Sequence, residues 1–446
     1  MKNAFHAYDI RGIYNKDFNK EDVYKIGFFL PQLLKTQEII VGRDFRLSSD
    51  EIFEALTKGI TEAGANVFDI GNSTTPMVYF ATANYGFKAS VQITASHNPK
   101  EYNGLKISRE NALPVGFDTG LEELLKLAST QKIEPKTTLG KVIKKDIKED
   151  YIKFQQKFLA DFSDIKVGVD VSNGAAAVII KDIWKDDFFY INDKADGSFP
   201  NHSPNPLLEE NTLQIRELVK EKGLDIGLVF DGDADRVVFS DDLGRHVKPD
   251  LIIAVMANYF LKNAPKNTIV LQDIRTSKSV SEYLEKFSAK VETWKVGRAN
   301  AAPKLRDLDG LYGGEFAGHY YFKDFFYSDS GILAASIVLS IVSEIKKQGK
   351  KFSQLIDEIT HYYNSGEINF KIKDKDSAME RVKNYFVEKE KPLAFYDFDG
   401  YRIEYQNWWF NIRKSNTEPY LRLLCEAENK EDLKAKVEII SKLICQ

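Results

Sequence analysis

The sequence predicts an α/β protein of three similar mixed-sheet domains followed by a smaller C-terminal α+β domain, and three observations carry that prediction. Short β-branched runs alternate with longer helical patterns as far as about Ser365, which is the pattern of α/β units around a largely buried mixed sheet. Three of these runs look alike: Ile39 to Arg43 (IIVGR), Lys166 to Asp170 (KVGVD) and Thr268 to Asp273 (TIVLQD). Each is an apolar strand that ends in a charged loop leading towards a helix. Their identity is weak, and it suggests an internal threefold repeat. Finally, 446 residues exceed one hydrophobic core and, at about 100 to 200 residues per domain, make three or four domains with room for clefts between them.

Taken in order, the expected domains are 1–150, 151–248, 249–365 and 366–446. The first ends in Lys132 to Lys148, a stretch rich in Lys and Thr with little apolar periodicity, which reads as a solvated connection. The second ends near Gly244 to Asp250, after the strand Val237 to Ser240. The third contains the longest apolar-leaning run, Gly331 to Val342. That run is well short of the roughly 20 residues needed to span a bilayer and reads as a buried helix. At Ser365 and Gly366 helical patterning gives way to strand-like segments such as Ile368 to Ile372, and the last domain closes with a helix over Lys430 to Leu443.

Composition narrows the function. Hydrophobic residues make up 43% and charged residues 29%, as in soluble globular proteins and unlike disordered chains. The net charge is -4, with 62 basic and 66 acidic residues intermixed, so neither a nucleic-acid face nor a cationic membrane helix is expected. Cys425 and Cys445 are the only cysteines, too few for a disulfide framework or a thiolate metal site, which favours a reducing compartment. The start, Met1 to Gly12, lacks the basic-then-apolar pattern of a secretory signal. A cytoplasmic multidomain enzyme is expected.

Four loops carry residues suited to chemistry. Thr94-Ala95-Ser96-His97-Asn98-Pro99 follows the strand-like run Ser90 to Ile93 and precedes an Asn103-Gly104 turn into Leu105-Lys106-Ile107. Placed there, the Ser96 hydroxyl sits on an exposed bend. A serine hydroxyl is a weak nucleophile that needs a base or a charged environment, and His97 and Lys106 are the nearest candidates. Asp231-Gly232-Asp233-Ala234-Asp235-Arg236 lies between the apolar runs Ile226 to Phe230 and Val237 to Phe239. Three carboxylates alternating on one tight turn repel one another, so a hard divalent cation is their natural partner. The calcium-binding helix-loop-helix fails, because Arg236 holds the glycine position and the flanks are strands. Three protein ligands leave open positions, which suits Mg²⁺ held partly by a phosphate.

Gly313-Gly314-Glu315-Phe316-Ala317-Gly318-His319 places a carboxylate and an imidazole where both can meet sugar hydroxyls. Arg413-Lys414-Ser415-Asn416-Thr417-Glu418-Pro419, with Arg422 following, gathers guanidinium groups, hydroxyls and turn amides into a cradle for a phosphate dianion. Each loop alone has a bland explanation: a polar hairpin, a solvated acidic turn, a Gly-rich connection, a capped turn.

Together and in this order, the four loops resemble those of the α-D-phosphohexomutases, the family that includes phosphomannomutase, phosphoglucomutase and phosphoglucosamine mutase. The resemblance begins at Ala7-Tyr8-Asp9-Ile10-Arg11-Gly12 and covers nearly the whole chain. It implies a heart-shaped, four-domain fold with one loop from each domain meeting in a central cleft. It also implies that Ser96 carries a phosphoryl group, and that one Mg²⁺ per chain is bound by Asp231, Asp233, Asp235 and an oxygen on Ser96. Arg11, His97, Lys106 and Arg236 then surround the transfer, with Lys106 as general acid or base. Arg275, Arg298, Glu315, Ala317 and His319 contact substrate, and Arg413, Ser415, Asn416, Thr417 and Arg422 grip the phosphate that is not reacting. The implied reaction interconverts hexose 6-phosphate and hexose 1-phosphate through a hexose 1,6-bisphosphate, in a monomer or weak dimer. Phosphoryl transfer asks a protein mainly for positioning and charge neutralisation, and these loops are built of such groups.

Two positions depart from many members: Ala317 stands where serine is frequent, and Arg298 where histidine is. The first removes a hydroxyl contact, and the second adds a charge available to the distal phosphate or the sugar. Gly313-Gly314-Glu315 followed by Tyr320 to Asp324 and Ser328 to Gly331 is more similar to bacterial phosphomannomutases than to phosphoglucosamine mutases. Mannose is therefore the first expectation, with glucose or dual specificity as the alternative. A metal-dependent phosphatase and a non-catalytic sugar-phosphate binder are the rival readings.

Overall fold

The computed structural model describes residues 1–184, 187–415 and 419–446, and its strands form four sheets. The first has the order Ile10–Ile13, Tyr102–Arg109, Ala89–Ile93, Glu38–Arg43, Asn66–Asn72, Val142–Lys144. The second runs His246–Val247, Val237–Asp241, Ile226–Phe230, Val167–Asp170, Phe189–Ile191, and the third Ser328–Asp329, Tyr320–Phe322, Tyr312–Gly314, Ile269–Asp273, Lys290–Trp294. The three strands that look alike in sequence occupy one topological station. Each lies between two parallel neighbours, and the next strand on one side is antiparallel. The turn from the parallel to the antiparallel strand is the Ser96 loop in the first sheet, the Asp231 loop in the second and the Glu315 loop in the third.

The sheets are held by apolar layers. In the first, Ile39 and Val41 pack with Val23 and Ile26 of helix Lys20–Leu34 and with Ile52 and Leu56 of helix Ser49–Glu62. Each such side chain contributes about 1.5–3 kcal/mol on burial. Asn19 caps the first of these helices in a reciprocal box with Asp22, a contribution of about 1 kcal/mol. The second and third sheets share one continuous core, in which Trp184 packs with Phe230 and donates to Ser336 of helix Gly331–Lys347 at 3.0 Å. The apolar run at 331–342 is thus the predicted buried helix. Among the described residues no helix is long and apolar enough to cross a membrane.

The fourth sheet is antiparallel throughout and encloses its own core, including Phe386, Trp408, Phe410, Leu423 and Ile440, with helices Lys375–Lys389 and Lys430–Cys445. It is joined to the third sheet by polar contacts: the buried Arg402 guanidinium donates to the carbonyls of Ile274 and Thr276, at 2.9 and 2.6 Å. Ser277 Oγ donates to Glu426 at 2.8 Å.

Two local expectations differ from the structure. Asn103 and Gly104 are not a turn; they pair with Gly12 and Arg11 inside the strand Tyr102–Arg109. A Cβ on Gly104 would stand 2.1 Å from the Ile10 carbonyl oxygen, so the glycine marks a close approach of two strands. The connection 132–148 contains the edge strand Val142–Lys144, whose residues are all exposed, which explains its polar composition.

Candidate active site

Ser96 lies in the left-handed region at φ 51°, a conformation that costs a non-glycine residue on the order of 1 kcal/mol and persists only where its surroundings impose it. Its N–H donates to Thr94 Oγ1 at 2.9 Å, and its hydroxyl donates to Asp231 Oδ2 at 2.7 Å. His97 Nδ1 is 3.4 Å from Ser96 Oγ. The side chain is fully buried, not on an exposed bend, because the acidic turn of the second domain closes over it. Gly232 allows that approach: a Cβ there would lie 2.5 Å from the Ser96 carbonyl oxygen.

Asp231, Asp233 and Asp235 are all buried and offer carboxylate oxygens within 4.8 Å of one another. Burial beside Asp233 and Asp235 pushes the Asp231 carboxyl well above the usual carboxylate range. Asp233 Oδ1 and Asp235 Oδ1 have no hydrogen-bond donor among the described residues. Buried carboxylate oxygens without donors, crowded by like charge, fit a hard cation with oxygen ligands. The other oxygens are fixed: Thr75 donates to Asp233, and Lys106 Nζ bridges Asp233 and Asp235 at 2.6 and 2.5 Å. Burial opposes the charge on Lys106, but the two carboxylates prevail and raise its pKa. Arg236 Nε is 3.7 Å from Asp231. A second group, Asp235, His319 and Asp329, is equally compact, but Asp329 already meets Arg298 at 2.9 Å and His319 at 2.7 Å. It reads as an ion-pair network rather than a second cation site.

Burial, with Arg236, Arg11 and Lys106 facing it, depresses the His97 pKa well below its ordinary value and keeps the ring neutral. Arg11 donates to Asn98 Oδ1 at 2.8 Å and also pairs with Asp9. The acidic and Gly-rich turns join directly through a backbone bridge between Arg236 and His319.

Arg11, Lys106, Arg236, Arg275, Arg298, Glu315, Ala317, His319, Arg413 and Arg422 all line one cavity of about 200 Å³. Glu315 accepts from Tyr321 at 2.6 Å and from the Gly297 N–H at 3.1 Å. Arg275 pairs with Asp273 at 2.8 Å and lies 3.9 Å from Glu315. Arg413 is buried with Nε and Nη1 lacking hydrogen-bond acceptors among the described residues. Burial and the neighbouring Arg275 lower its pKa, the electrostatic condition of a pocket made for a dianion. Arg422 meets Glu367 at 3.2 Å, and the Ser415 N–H bonds the Tyr420 carbonyl at 3.0 Å. The predicted contacts Asn416 and Thr417 lie outside the described residues. Arg298 is more engaged than its sequence position suggests: besides Asp329 it donates to the Ala112 carbonyl at 2.8 Å and stacks on Tyr79.

Several residues that shape the site were not singled out from sequence. Tyr8 donates to the Val296 carbonyl at 2.9 Å, and Asp399 accepts from the Val296 N–H at 3.0 Å. Asp44 and Arg46 sit behind the Ser96 loop. The charged loop following Ile39 to Arg43 was the available signal for this last pair.

Four domain models of the phosphoglucomutase/phosphomannomutase family match in succession. Alpha/beta/alpha domain I matches residues 2–132, domain II 146–244, domain III 248–363 and the C-terminal domain 367–442. The phosphomannomutase of Methanocaldococcus jannaschii is 36% identical over 449 residues, covering 99% of this chain and 98% of that one. An Escherichia coli phosphomannomutase is 35% identical over 456 residues, covering 99% of each. Among solved structures, a phosphoglucomutase/phosphomannomutase family protein from Burkholderia thailandensis superposes with a TM-score of 0.91 at 25% identity, covering 100% of this chain and 97% of that one. With the four domain types present in order and relatives alike from end to end, this chain belongs to the phosphoglucomutase/phosphomannomutase family.

Proposed function

We propose that this chain is a mutase that interconverts hexose 6-phosphate and hexose 1-phosphate, with mannose phosphates as its first substrates, using Ser96 as a phosphoryl carrier and hexose 1,6-bisphosphate as the intermediate. The observation that carries the reading is the buried Ser96 hydroxyl, 2.7 Å from an acidic turn with donor-free carboxylate oxygens. Asp231, Asp233 and Asp235, with an oxygen on Ser96, would hold one Mg²⁺. That ion supplies positive charge to the transferring phosphoryl oxygens.

The chain's own groups do the rest. The phosphoryl group leaves Ser96 Oγ for the free hydroxyl of a hexose monophosphate. One O–P bond breaks as another forms, and the hydroxyl proton replaces the phosphoryl group on Ser96 by way of neighbouring groups. Lys106, whose Nζ bridges Asp233 and Asp235, serves best as positive charge beside the transfer. His97, held neutral, places a ring nitrogen 3.4 Å from Ser96 Oγ as a hydrogen-bonding partner. Arg275 and Arg413 hold the remote phosphate, and Glu315 and His319 meet sugar hydroxyls. The bisphosphate then reverses and returns its other phosphate to Ser96. The two-ended grip separates this reading from a phosphatase, which needs no second phosphate site.

Mannose comes first because the relatives named above are phosphomannomutases. Glucose is the alternative, since one hydroxyl changes direction between the sugars and one neutral hydrogen bond is worth about 0.5–1.5 kcal/mol, at most roughly tenfold. We place the enzyme in the cytoplasm as a monomer or weak dimer, in keeping with two free cysteines. The test is turnover of mannose 1-phosphate and glucose 1-phosphate with Mg²⁺ and a hexose 1,6-bisphosphate, with mass spectrometry of Ser96. Hexose 6-phosphate with little free phosphate is expected. Dominant release of inorganic phosphate, or full turnover by Ser96→Ala, would overturn the reading.

A further inference from the structure

We propose that Arg46, which no part of the reaction scheme uses, is the positioning residue that fixes the Ser96 turn for phosphoryl transfer. The inference rests on the reading of Ser96 as phosphoryl carrier. Its basis is an unusual concentration of hydrogen bonds. Arg46 Nη1 donates to the carbonyls of Pro99 and Tyr102, at 2.7 and 2.9 Å, and Nη2 to those of Ser96 and Asn98, at 2.8 and 2.6 Å. Both terminal nitrogens of one guanidinium are thereby engaged by four carbonyls of a single loop. The side chain is fully buried, and its Nε lies 3.2 Å from Asp44 Oδ2.

Asp44 extends the grip. Its oxygens accept from Ser49 Oγ at 2.6 Å and Thr94 Oγ1 at 2.7 Å, and Thr94 Oγ1 in turn accepts from the Ser96 N–H at 2.9 Å. The Asp44–Arg46 pair therefore holds Ser96 by its N–H side and by its carbonyl side. That double hold accounts for a serine kept in the left-handed region. The Arg46 bond to the Asn98 carbonyl also fixes the residue whose side chain accepts from Arg11.

The second domain seals the pair from behind. The Phe199 ring lies 5.0 Å from the Arg46 guanidinium carbon. A Cβ on Gly197 would stand 2.0 Å from the Phe45 carbonyl oxygen and 2.6 Å from Arg46 Cα. The domain that supplies the acidic turn thus also presses on the anchor of the turn carrying Ser96, so docking of the two domains sets both sides of the reacting centre together. A lysine cannot reproduce this arrangement, because three protons on one point do not match a planar fork with two bonds from each of two nitrogens.

The test compares wild type, Arg46→Lys, Arg46→Ala and Phe199→Leu for kcat and KM on mannose 1-phosphate with a hexose 1,6-bisphosphate present. Thermal unfolding and hydrogen exchange of the 94–102 segment are measured alongside. Arg46→Lys is expected to lose on the order of 10²-fold in kcat, as displacements near 1 Å at a reacting centre do, with KM within about twofold. Exchange in 94–102 is expected to quicken. Millimolar guanidinium is expected to restore about tenfold of the kcat of Arg46→Ala where methylammonium does not. If Arg46→Ala does not fold, Phe199→Leu decides by the same split, with a smaller fall in kcat. Wild-type kcat in Arg46→Lys with unchanged exchange overturns the proposal, as does a loss that follows unfolding alone and ignores guanidinium. If the wild type proves to have no mutase activity, the reading of Ser96 falls, and exchange of 94–102 still decides whether Arg46 fixes the turn.

Discussion

Gly232→Ala tests whether the distance between the serine turn and the acidic turn sets the rate. The added methyl would stand 2.5 Å from the Ser96 carbonyl oxygen and 3.4 Å from Pro204 Cβ. An ordinary approach of carbon to oxygen is about 3.3 Å, so the turns must part by about 0.8 Å. The Ser96 carbonyl cannot swing aside freely, since Arg46 holds it at 2.8 Å, and the movement falls on the contact between Ser96 Oγ and Asp231. A displacement near 1 Å at a reacting centre costs on the order of 10²-fold in rate, whereas overpacking of this size costs about 1–3 kcal/mol of stability. The expected protein is folded, with kcat reduced about 30- to 100-fold and little change in KM for hexose phosphate. Formation of hexose 6-phosphate in a coupled assay gives the rate, and far-ultraviolet circular dichroism reports the fold. A folded Gly232→Ala with kcat within twofold of wild type would refute the argument that the close approach positions the serine.

Three other outcomes are expected. Chelation followed by dialysis should abolish turnover and Mg²⁺ should restore it, while Asp233→Asn should need far more Mg²⁺ for half-maximal rate; an unchanged Mg²⁺ requirement would remove Asp233 from the cation site. The His202 imidazole lies between the Asp170 carboxylate at 3.0 Å and the Ser203 carbonyl at 2.8 Å. Burial lowers its pKa, but Asp170 more than offsets this and raises it above the ordinary 6.5. Its contribution to stability is therefore complete below about pH 6.5 and lost as pH rises through the higher folded value. The difference in melting temperature between wild type and His202→Gln should be widest in mild acid and narrow above neutrality, and a constant difference would contradict the assignment. Arg298→His should lose the bond to the Ala112 carbonyl and the stacking on Tyr79, lowering stability by about 1–3 kcal/mol with KM within about twofold, as chemical denaturation and kinetics will report. A large rise in KM would instead make Arg298 a substrate ligand.

The chemistry of the site was legible in sequence where it is written in one short segment. Asp231 to Arg236 brings three carboxylates onto one turn, and repulsion among such groups demands a partner wherever the turn lies. What could not be read was the far side of each contact. Arg46 acts on carbonyls 50 or more positions along the chain, and backbone acceptors leave no trace in the sequence. Asn103-Gly104 looked like a turn because that dipeptide favours one, and only the Ile10 carbonyl pressed against Gly104 reveals a strand. Burial of Ser96 depended on a second domain closing over it. The alternation of short strands and helices disclosed three related units, and the shared topological station of Glu38–Arg43, Val167–Asp170 and Ile269–Asp273 is the reason their sequences look alike.

With Ser96, the three aspartates and Glu315 on equivalent turns of three sheets, the proposed chemistry is divided among separate units of the chain. Because His319 bridges Arg236 and lies 3.8 Å from Asp235, a change within residues 315–319 also reaches the acidic turn. Grafts of that segment from relatives with other sugar preferences therefore have to keep His319 and its bridge to the acidic turn.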